Sequence, residues 1–128
     1  MKLLLDTQVL IWADAEPAKL SPAARRAIED PENQLMVSLA SLWEMQIKEA
    51  LGKLGLARSV KALFLAQTDS LGVNALPIKA DHVWQLASLP RLHGDPFDRL
   101  VIAQAQFESL PIVTADSAFR EYQVEVVW

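Results

Sequence analysis

The stretch 93–106 constrains the fold of this chain more than any other. It reads HGDPFDRLVIAQAQ, a polar loop that gives way at Pro96 to a helix whose body is apolar on nearly every side. A helix without a polar face lies inside a fold rather than on its surface. Asp95, Asp98 and Arg99 nevertheless lie at its start. If the body of the helix is buried, these acids are held at the rim of the core, which is a suitable place for a metal site.

Composition limits what such a metal site can contain. The chain has 128 residues, 52% of them hydrophobic, which is enough for one domain (1–128) with its own core. It has no cysteine and only two histidines, His82 and His93, so thiolate zinc sites are excluded and a histidine-based site is disfavoured. A hard cation held by oxygen ligands, such as Mg²⁺ or Mn²⁺, remains the option.

No segment resembles a signal peptide or a membrane span. The apolar run 3–5 is interrupted at once by Asp6, and no uncharged apolar run approaches the roughly 18 residues of a span. We therefore expect a soluble, cytoplasmic protein that makes no contact with a membrane. The net charge of −4 argues mildly against a general nucleic-acid-binding protein, which would normally be basic.

Short apolar segments alternate with helical segments along the chain. Strands are predicted at 2–6, 35–38, 73–76, 111–114 and 124–128. Helices are predicted between them, at 7–12, 23–30, 40–51, 59–71, 80–89 and 96–109, with a helical turn at 117–120. The alternation predicts an α/β sandwich in which about seven helices flank a mostly parallel five-stranded sheet.

Acidic side chains follow the predicted strands or open the predicted helices. Asp6 ends the first strand and Asp116 lies just past the fourth. Glu44 and Asp98 are placed in the first turns of helices. Ligands of open parallel sheets bind in the crevice outside the carboxyl ends of the strands, so we expect the four acids to meet there. Clustered carboxylates repel one another and require a counter-cation or raised pKa values.

Each acid also has a purely structural interpretation. The spacing of Ser41 and Glu44 is that of a capping box. Asp95 precedes a proline and is a good N-cap, with Asp98 favourably placed against the helix dipole. Asp6 and Asp116 could be helix caps or turn formers. Four independent caps need not converge on one end of a sheet, however, and their common placement favours a site.

Four short motifs occur along the chain in a fixed order. They are Leu-Leu-Leu-Asp-Thr at 3–7, Ser-Leu-Trp-Glu-Met at 41–45, His-Gly-Asp-Pro-Phe-Asp-Arg-Leu at 93–100 and Thr-Ala-Asp at 114–116. Together they resemble the PIN-domain family, specifically the VapC-like toxins of type II toxin–antitoxin modules, over essentially the whole chain. The resemblance implies a PIN-like three-layer sandwich. Gly94 departs from it, because a basic residue is frequent there in similar sequences.

The resemblance implies a Mg²⁺-dependent endoribonuclease, because matching residues in the family bind Mg²⁺ or Mn²⁺ and cut RNA. Those residues here are Asp6, Glu44, Asp98 and Asp116. Secondary candidates are Asp95 as a helix cap or supporting residue, Thr7, Thr114 and Ser117 for water or phosphate, and Arg99 and His93 for phosphate contact. The implied partners are RNA and a cognate antitoxin that places a basic group against the carboxylates, in a homodimer or a toxin–antitoxin hetero-oligomer.

The proposed ligands account for the acidic balance of the chain. With 16 acids and 12 bases, removal of the four ligands leaves 12 of each, so bound divalent ions would offset the excess. Lys48, Lys53, Arg58 and Lys61 are then candidates for phosphate contact, or they form a solvated face. Two other functions stay open: a PIN nuclease of RNA processing or of single-stranded DNA, and a non-catalytic PIN-like scaffold or receiver-type switch.

Overall fold

The computed structural model describes residues 1–92 and 94–128, and its strands form one sheet. They are β1 (Lys2–Leu5), β2 (Gln34–Ser38), β3 (Asn74–Leu76), β4 (Ile112–Val113) and β5 (Val126–Val127), in the order β3-β2-β1-β4-β5. All four pairings are parallel, which confirms the predicted fold class. In the central strand, Leu5 pairs with Val37 on one side and with Val113 on the other. The residues that follow these three therefore lie together at one edge.

Six α-helices connect the strands in the described residues, rather than the seven predicted. They are α1 (Thr7–Ala15), α2 (Pro22–Glu29), α3 (Leu39–Ala50), α4 (Val60–Leu71), α5 (Ala80–Gln85) and α6 (Pro96–Glu108), with 3₁₀ turns at Pro17–Lys19, Leu86–Ser88 and Ser117–Glu121. The predicted helix at 80–89 becomes 3₁₀ after α5, and the turn at 117–120 is also 3₁₀. The longest helix has 13 residues, and no helix within residues 1–92 or 94–128 could cross a membrane.

Local capping signals set several of these helix ends. The Oγ of Ser21 accepts a hydrogen bond from the N–H of Ala24 at 3.1 Å and starts α2. Ser59 caps α4 in the same way. Gly72 ends α4 with a φ of 69°, a left-handed conformation that glycine adopts without steric cost. Because these signals depend on neighbouring residues, the sequence alone locates them.

The side chains of β1 divide the core into two layers. Leu3 and Leu5 pack with buried residues of α1, α2, α3 and α4, whereas Leu4 packs with Ile102 and Phe119 on the other side. Successive side chains of a strand point to opposite faces of its sheet, which produces this division. The central residues of α6, from Val101 to Ala105, are buried, as its apolar sequence predicted. The sheet is therefore covered on both faces, as expected for a three-layer sandwich.

Candidate active site at the carboxyl edge of the sheet

Asp6 lies where the centre of the sheet meets α1. Its N–H donates to the carbonyl of Val113 at 3.0 Å, which continues the pairing of β1 with β4. Asp6 occupies the N-cap position of α1, but its side chain makes no capping hydrogen bond. Instead, its Oδ2 accepts a hydrogen bond from Thr114 Oγ1 at 2.8 Å. The interpretation of Asp6 as a cap is therefore wrong for its carboxylate.

Thr114 connects Asp6 to Asp116. The Thr114 hydroxyl donates to Asp6 and accepts from the N–H of Asp116 at 3.0 Å. The side chain of Asp116 also has a capping role, because its Oδ1 accepts from the N–H of Ala118 at 2.9 Å where the last 3₁₀ turn begins. Thr114 is buried, so its hydroxyl holds Asp6 and Asp116 in a fixed relation.

Glu44 reaches the same edge from within α3. Ser38 caps this helix, so Glu44 is its sixth residue and lies in the second turn. The predicted capping box of Ser41 and Glu44, and the placement of Glu44 in a first turn, are therefore wrong. The Oε1 of Glu44 accepts from Thr7 Oγ1 at 3.2 Å, and its Oε2 lies 3.5 Å from the Nζ of Lys48. Glu44 is buried, so these two groups fix it beside α1.

The start of α6 contributes two further acids. Asp95 caps this helix, and its Oδ1 accepts from the N–H groups of Phe97 at 2.9 Å and of Asp98 at 3.2 Å. Its predicted role as an N-cap is thus confirmed. Asp98 occupies the first turn of α6, as predicted, and is partly buried.

A pocket of about 190 Å³ brings acids from these elements together. It is lined by Asp6, Glu44, Asp95 and Asp98, with Thr7, Gln8, Ile11, Lys48 and Leu54 between them; we call it the carboxylate pocket. Asp116 does not line it, but its charge acts on Asp6. Burial raises the pKa of Asp6, and the charges of Asp116 and Glu44 raise it further against the hydrogen bonds from Thr114 and the Thr7 backbone. The acids therefore interact unfavourably, as the sequence predicted for clustered carboxylates.

The other predicted residues lie elsewhere. Arg99 donates through Nη1 to the carbonyl of Pro90 at 2.8 Å and lines a different cavity, of about 540 Å³, with Arg91 and Gly94. Ser117 is exposed at the start of its 3₁₀ turn. The prediction for His93 lies outside the described residues. Three pocket residues, Gln8, Ile11 and Leu54, were not predicted. Gln8 follows Thr7 at the start of α1, and that position was the available signal.

The donor atoms of the carboxylate pocket suit a hard divalent cation, which prefers carboxylate oxygens. The side chains are committed to other partners, however: Asp6 to Thr114 and Glu44 to Thr7 and Lys48. Within residues 1–92 and 94–128, no three acidic or histidine side chains form a group that could hold a metal ion. The pocket thus fits such an ion in charge and donor type, and binding requires carboxylates to turn toward it.

Comparison with known proteins identifies relatives along nearly the whole chain. The family model described as PIN domain matches residues 3–125. Ribonuclease VapC22 of Mycobacterium tuberculosis is 32% identical over 122 residues, which cover 94% of this chain and 92% of that protein.

Solved structures share the fold at lower identity. VapBC2 from Rickettsia felis, bound to a DNA fragment from its promoter, matches with a TM-score of 0.68 and 18% identity, over 98% of this chain and 97% of that one. FitAcB from Neisseria gonorrhoeae matches with a TM-score of 0.64 and 22% identity, over 98% and 96% of the two chains. A toxin–antitoxin complex from Klebsiella pneumoniae gives 0.57 and 20%, over 90% and 87%. The chain therefore belongs to the PIN-domain family as a VapC-like member, which confirms the assignment made from its motifs.

Proposed function

We propose that this protein is a Mg²⁺-dependent endoribonuclease that acts in the cytoplasm as the toxin of a type II toxin–antitoxin module. The observation that carries the proposal is the carboxylate pocket, in which acids at the starts of α1 and α6 and on α3 line one hollow at the carboxyl edge of a parallel sheet. The pKa of Asp6 is raised first by burial and then by the charges of Asp116 and Glu44, so its ionised carboxylate is unfavourable in the protein alone. A bound cation would neutralise it.

The residues of the chain have separate roles in this mechanism. Asp6, Glu44 and Asp98 would hold the cation, and Asp116 would add negative charge beside Asp6. When bound, Mg²⁺ supplies an activated water and stabilises charge on the phosphate oxygens. Thr114 and Thr7 orient Asp6 and Glu44 through their hydroxyls. Lys48 lies beside Glu44 and is the cationic side chain of the pocket that would contact the substrate phosphate.

The relatives support RNA as the substrate and an antitoxin as the partner. The curated relative is named a ribonuclease, and solved structures with this fold include toxin–antitoxin complexes. A pocket lined by acids also suits a basic side chain of an inhibitor, which would occupy the place of the cation. We therefore propose that the antitoxin blocks cleavage by placing an arginine or lysine against Asp6 and Asp98.

The test of the enzyme is cleavage of total RNA by purified protein with and without excess EDTA. Asp6→Asn and Asp98→Asn should each reduce cleavage at least about 100-fold while circular dichroism shows a folded protein. Asp69→Asn, which changes an exposed acid of α4, is the matched control and should keep full activity. Undiminished cleavage by Asp6→Asn, or in excess EDTA, would contradict the proposal.

The roles of metal and partner are tested separately. Calorimetric titration with Mn²⁺ should give binding to the wild-type protein that disappears in Asp6→Asn; equal binding by both proteins would place the metal elsewhere. Induced expression should arrest growth, and co-expression of the small gene next to this one should relieve the arrest. Growth without arrest would favour a nuclease of RNA processing instead of a toxin.

A further inference from the structure

A second hollow adjoins the carboxylate pocket. It has a volume of about 510 Å³ and lies between α1 and the turn 51–59 that follows α3; we call it the basic groove. It shares Gln8, Ile11, Lys48 and Leu54 with the carboxylate pocket. A chain that passes through the carboxylate pocket can therefore continue into this groove without leaving the surface.

The sign of the charge changes between the two hollows. The basic groove is lined by four cationic side chains and two acids: Lys19, Lys48, Lys53 and Arg58, and Asp14 and Glu16. Four positive and two negative charges leave +2, on a chain whose net charge is −4. Among residues 1–92 and 94–128, the carboxylate pocket is lined by four acids and by Lys48 as its one cation. Positive charge therefore lies beside the proposed cleavage site, on the path along which a polyanionic RNA strand would leave the carboxylate pocket.

Lys19 is paired with Glu16 at 3.0 Å and Lys48 with Glu44 at 3.5 Å, so Arg58 and Lys53 are the cationic groups of the groove most available to a ligand. Arg58 lies 3.4 Å from the carboxylate of Asp14, with the two side chains 46% and 24% exposed. Exposed ion pairs of this kind contribute little stability, so a phosphate can replace the carboxylate at small cost. Lys53 makes no ion pair with another residue of 1–92 or 94–128. Its turn is shaped by Gly52 and Gly55, whose φ angles are 69° and 63°.

Apart from these charged groups and Gln8, the side chains that line the groove are apolar. Ile11, Leu56 and Leu63 line it, together with Trp12, whose ring lies 6.0 Å from that of Trp128. Proteins that bind single-stranded nucleic acid combine cations along the backbone with apolar or aromatic surface for the bases. An amphipathic protein helix would instead require a groove that is apolar along its length. The mixture of exposed cations and apolar side chains favours a nucleic-acid strand.

We propose that the basic groove holds the RNA strand on one side of the cleaved bond, with Lys53 and Arg58 in contact with its phosphates. This inference rests on the proposed function, because it assumes that RNA passes through the carboxylate pocket. It also separates the four cations that cluster in the sequence. Lys53 and Arg58 line the groove, whereas Lys61 lies on α4 outside it.

The experiment measures binding without cleavage. A short fluorescent single-stranded RNA of mixed sequence is titrated with protein in EDTA, and anisotropy gives the Kd at several salt concentrations. Lys53→Ala and Arg58→Ala should each weaken binding about fivefold at low salt and reduce the slope of log Kd against log salt by about 0.7. Lys61→Ala removes a neighbouring exposed charge and is the matched control, which should retain the wild-type Kd and slope. Thermal melting confirms that all variants are folded.

The outcomes distinguish the groove from its alternatives. Unchanged RNA binding in Lys53→Ala and Arg58→Ala, or an equal loss in Lys61→Ala, would overturn the proposal. Loss of binding to the co-encoded antitoxin with RNA binding intact would also overturn it and identify a protein-binding groove. Failure of the proposed function is a separate result: cleavage by Asp6→Asn, or in EDTA, would remove the metal mechanism while these metal-free affinities still report on the groove.

Discussion

Two polar clusters involve residues of α3 and α6 or of their caps, and they differ in how many like charges they bring together. One is the carboxylate pocket, which is lined by acids at the starts of α1 and α6 and on α3. The other is a chain of hydrogen bonds through Ser38, Gln104, His82 and Glu108, which we call the buried amide network. Both contain polar side chains inside a small protein, but the pocket brings four acids together, whereas the network contains a single carboxylate.

Gln104 is the centre of the buried amide network and is fully buried. Its Oε1 accepts from the hydroxyl of Ser38, which itself caps α3. Its Nε2 donates to the carbonyl of Pro77 at 3.2 Å and lies 3.3 Å from His82 Nδ1. One amide thus joins the end of β2, the loop after β3 and the helix α5.

His82 connects Gln104 to Glu108, whose side chain is partly exposed. Its Nδ1 accepts from the N–H of Lys79 at 3.0 Å, which places the ring proton on Nε2. Nε2 then donates to Glu108 Oε1 at 2.9 Å, and this hydrogen bond lowers the pKa of Glu108, as does the charge of Lys79. The network contains one carboxylate, that of Glu108, and its ionised form is stabilised. In the carboxylate pocket, by contrast, burial and like charges raise the pKa of Asp6.

This difference indicates what each cluster does. Polar groups that stabilise a fold are paired with complementary groups inside it. Groups that bind a ligand are left with charge for the ligand to neutralise, and the folded protein is less stable as a result. Removal of the Asp6 charge in the pocket and removal of the Gln104 amide in the network should therefore change stability in opposite directions.

The largest effect on stability is expected in the network. Gln104→Met keeps the size of the side chain but removes its donors and acceptor, so Ser38 and Pro77 lose partners in a buried site. We expect the free energy of unfolding to fall by about 2–3 kcal/mol, measured by urea denaturation. Gln46→Met, at an exposed position of α3, is the control and should change it by less than about 0.5 kcal/mol. A loss below about 1 kcal/mol for Gln104→Met would contradict a stabilising role.

The opposite sign is expected at Asp6. Because burial and neighbouring acids raise its pKa in the folded protein, ionised Asp6 destabilises the fold at neutral pH. Asp6→Asn removes the charge and retains an oxygen for the Thr114 hydroxyl. In EDTA at neutral pH, we expect the free energy of unfolding to rise by on the order of 1 kcal/mol. Added Mg²⁺ should stabilise the wild type and leave the variant unchanged. A destabilised Asp6→Asn protein would remove the contrast between the clusters.

The sequence predicted the scaffold better than the contacts of the site. Segments such as α2 and α4 are bounded by their own serine caps and a glycine, so their ends were within one or two residues of the observed ones. The convergence of the acids followed from the placement of strand ends in a parallel sheet. The sequence placed Glu44 in the first turn of α3. The cap of this helix is Ser38 rather than Ser41, which puts Glu44 in the second turn.

Contacts between residues that are distant in the sequence could not be predicted from it. Thr7 and Glu44 are 37 positions apart, and Thr114 and Asp6 are 108 apart, so their pairing depends on the packing of α1, α3 and β4. The sequence presented Thr7 and Thr114 as candidates for holding water or phosphate, and the structure shows that each donates a hydrogen bond to a carboxylate. The buried amide network was not predicted at all, because nothing local to His82 indicates Gln104 as its neighbour.

A smaller effect is expected where a hydroxyl supports an acid. Thr7→Val keeps the shape of the side chain but removes the 3.2 Å hydrogen bond to Glu44. We expect the free energy of unfolding to fall by about 0.5–1 kcal/mol and RNA cleavage to decline several-fold, because Glu44 loses its orientation. Thr7→Ser retains the hydroxyl and should restore cleavage. If Thr7→Ser were as impaired as Thr7→Val, the methyl group rather than the hydrogen bond would be responsible.

The smallest effect is a dependence on pH at Glu108, and it completes the contrast with Asp6. Because the pKa of Glu108 is lowered in the folded protein, its ionised form contributes stability above its unfolded pKa, and this contribution is lost as the pH falls through the folded value. Glu108→Gln should therefore lower the Tm slightly at neutral pH and match the wild type in acid. Asp6→Asn should raise the Tm at neutral pH and also converge with the wild type in acid. Melting curves of the three proteins between about pH 3 and pH 7 test both signs, since the same exchange of acid for amide then has opposite effects in the two clusters.

Lys79→Ala isolates the more exposed partner of Glu108, 3.5 Å away, and should reproduce only a small part of the loss. A Glu108→Gln deficit that persists in acid would mean that the side chain stabilises the protein through packing rather than through its charge.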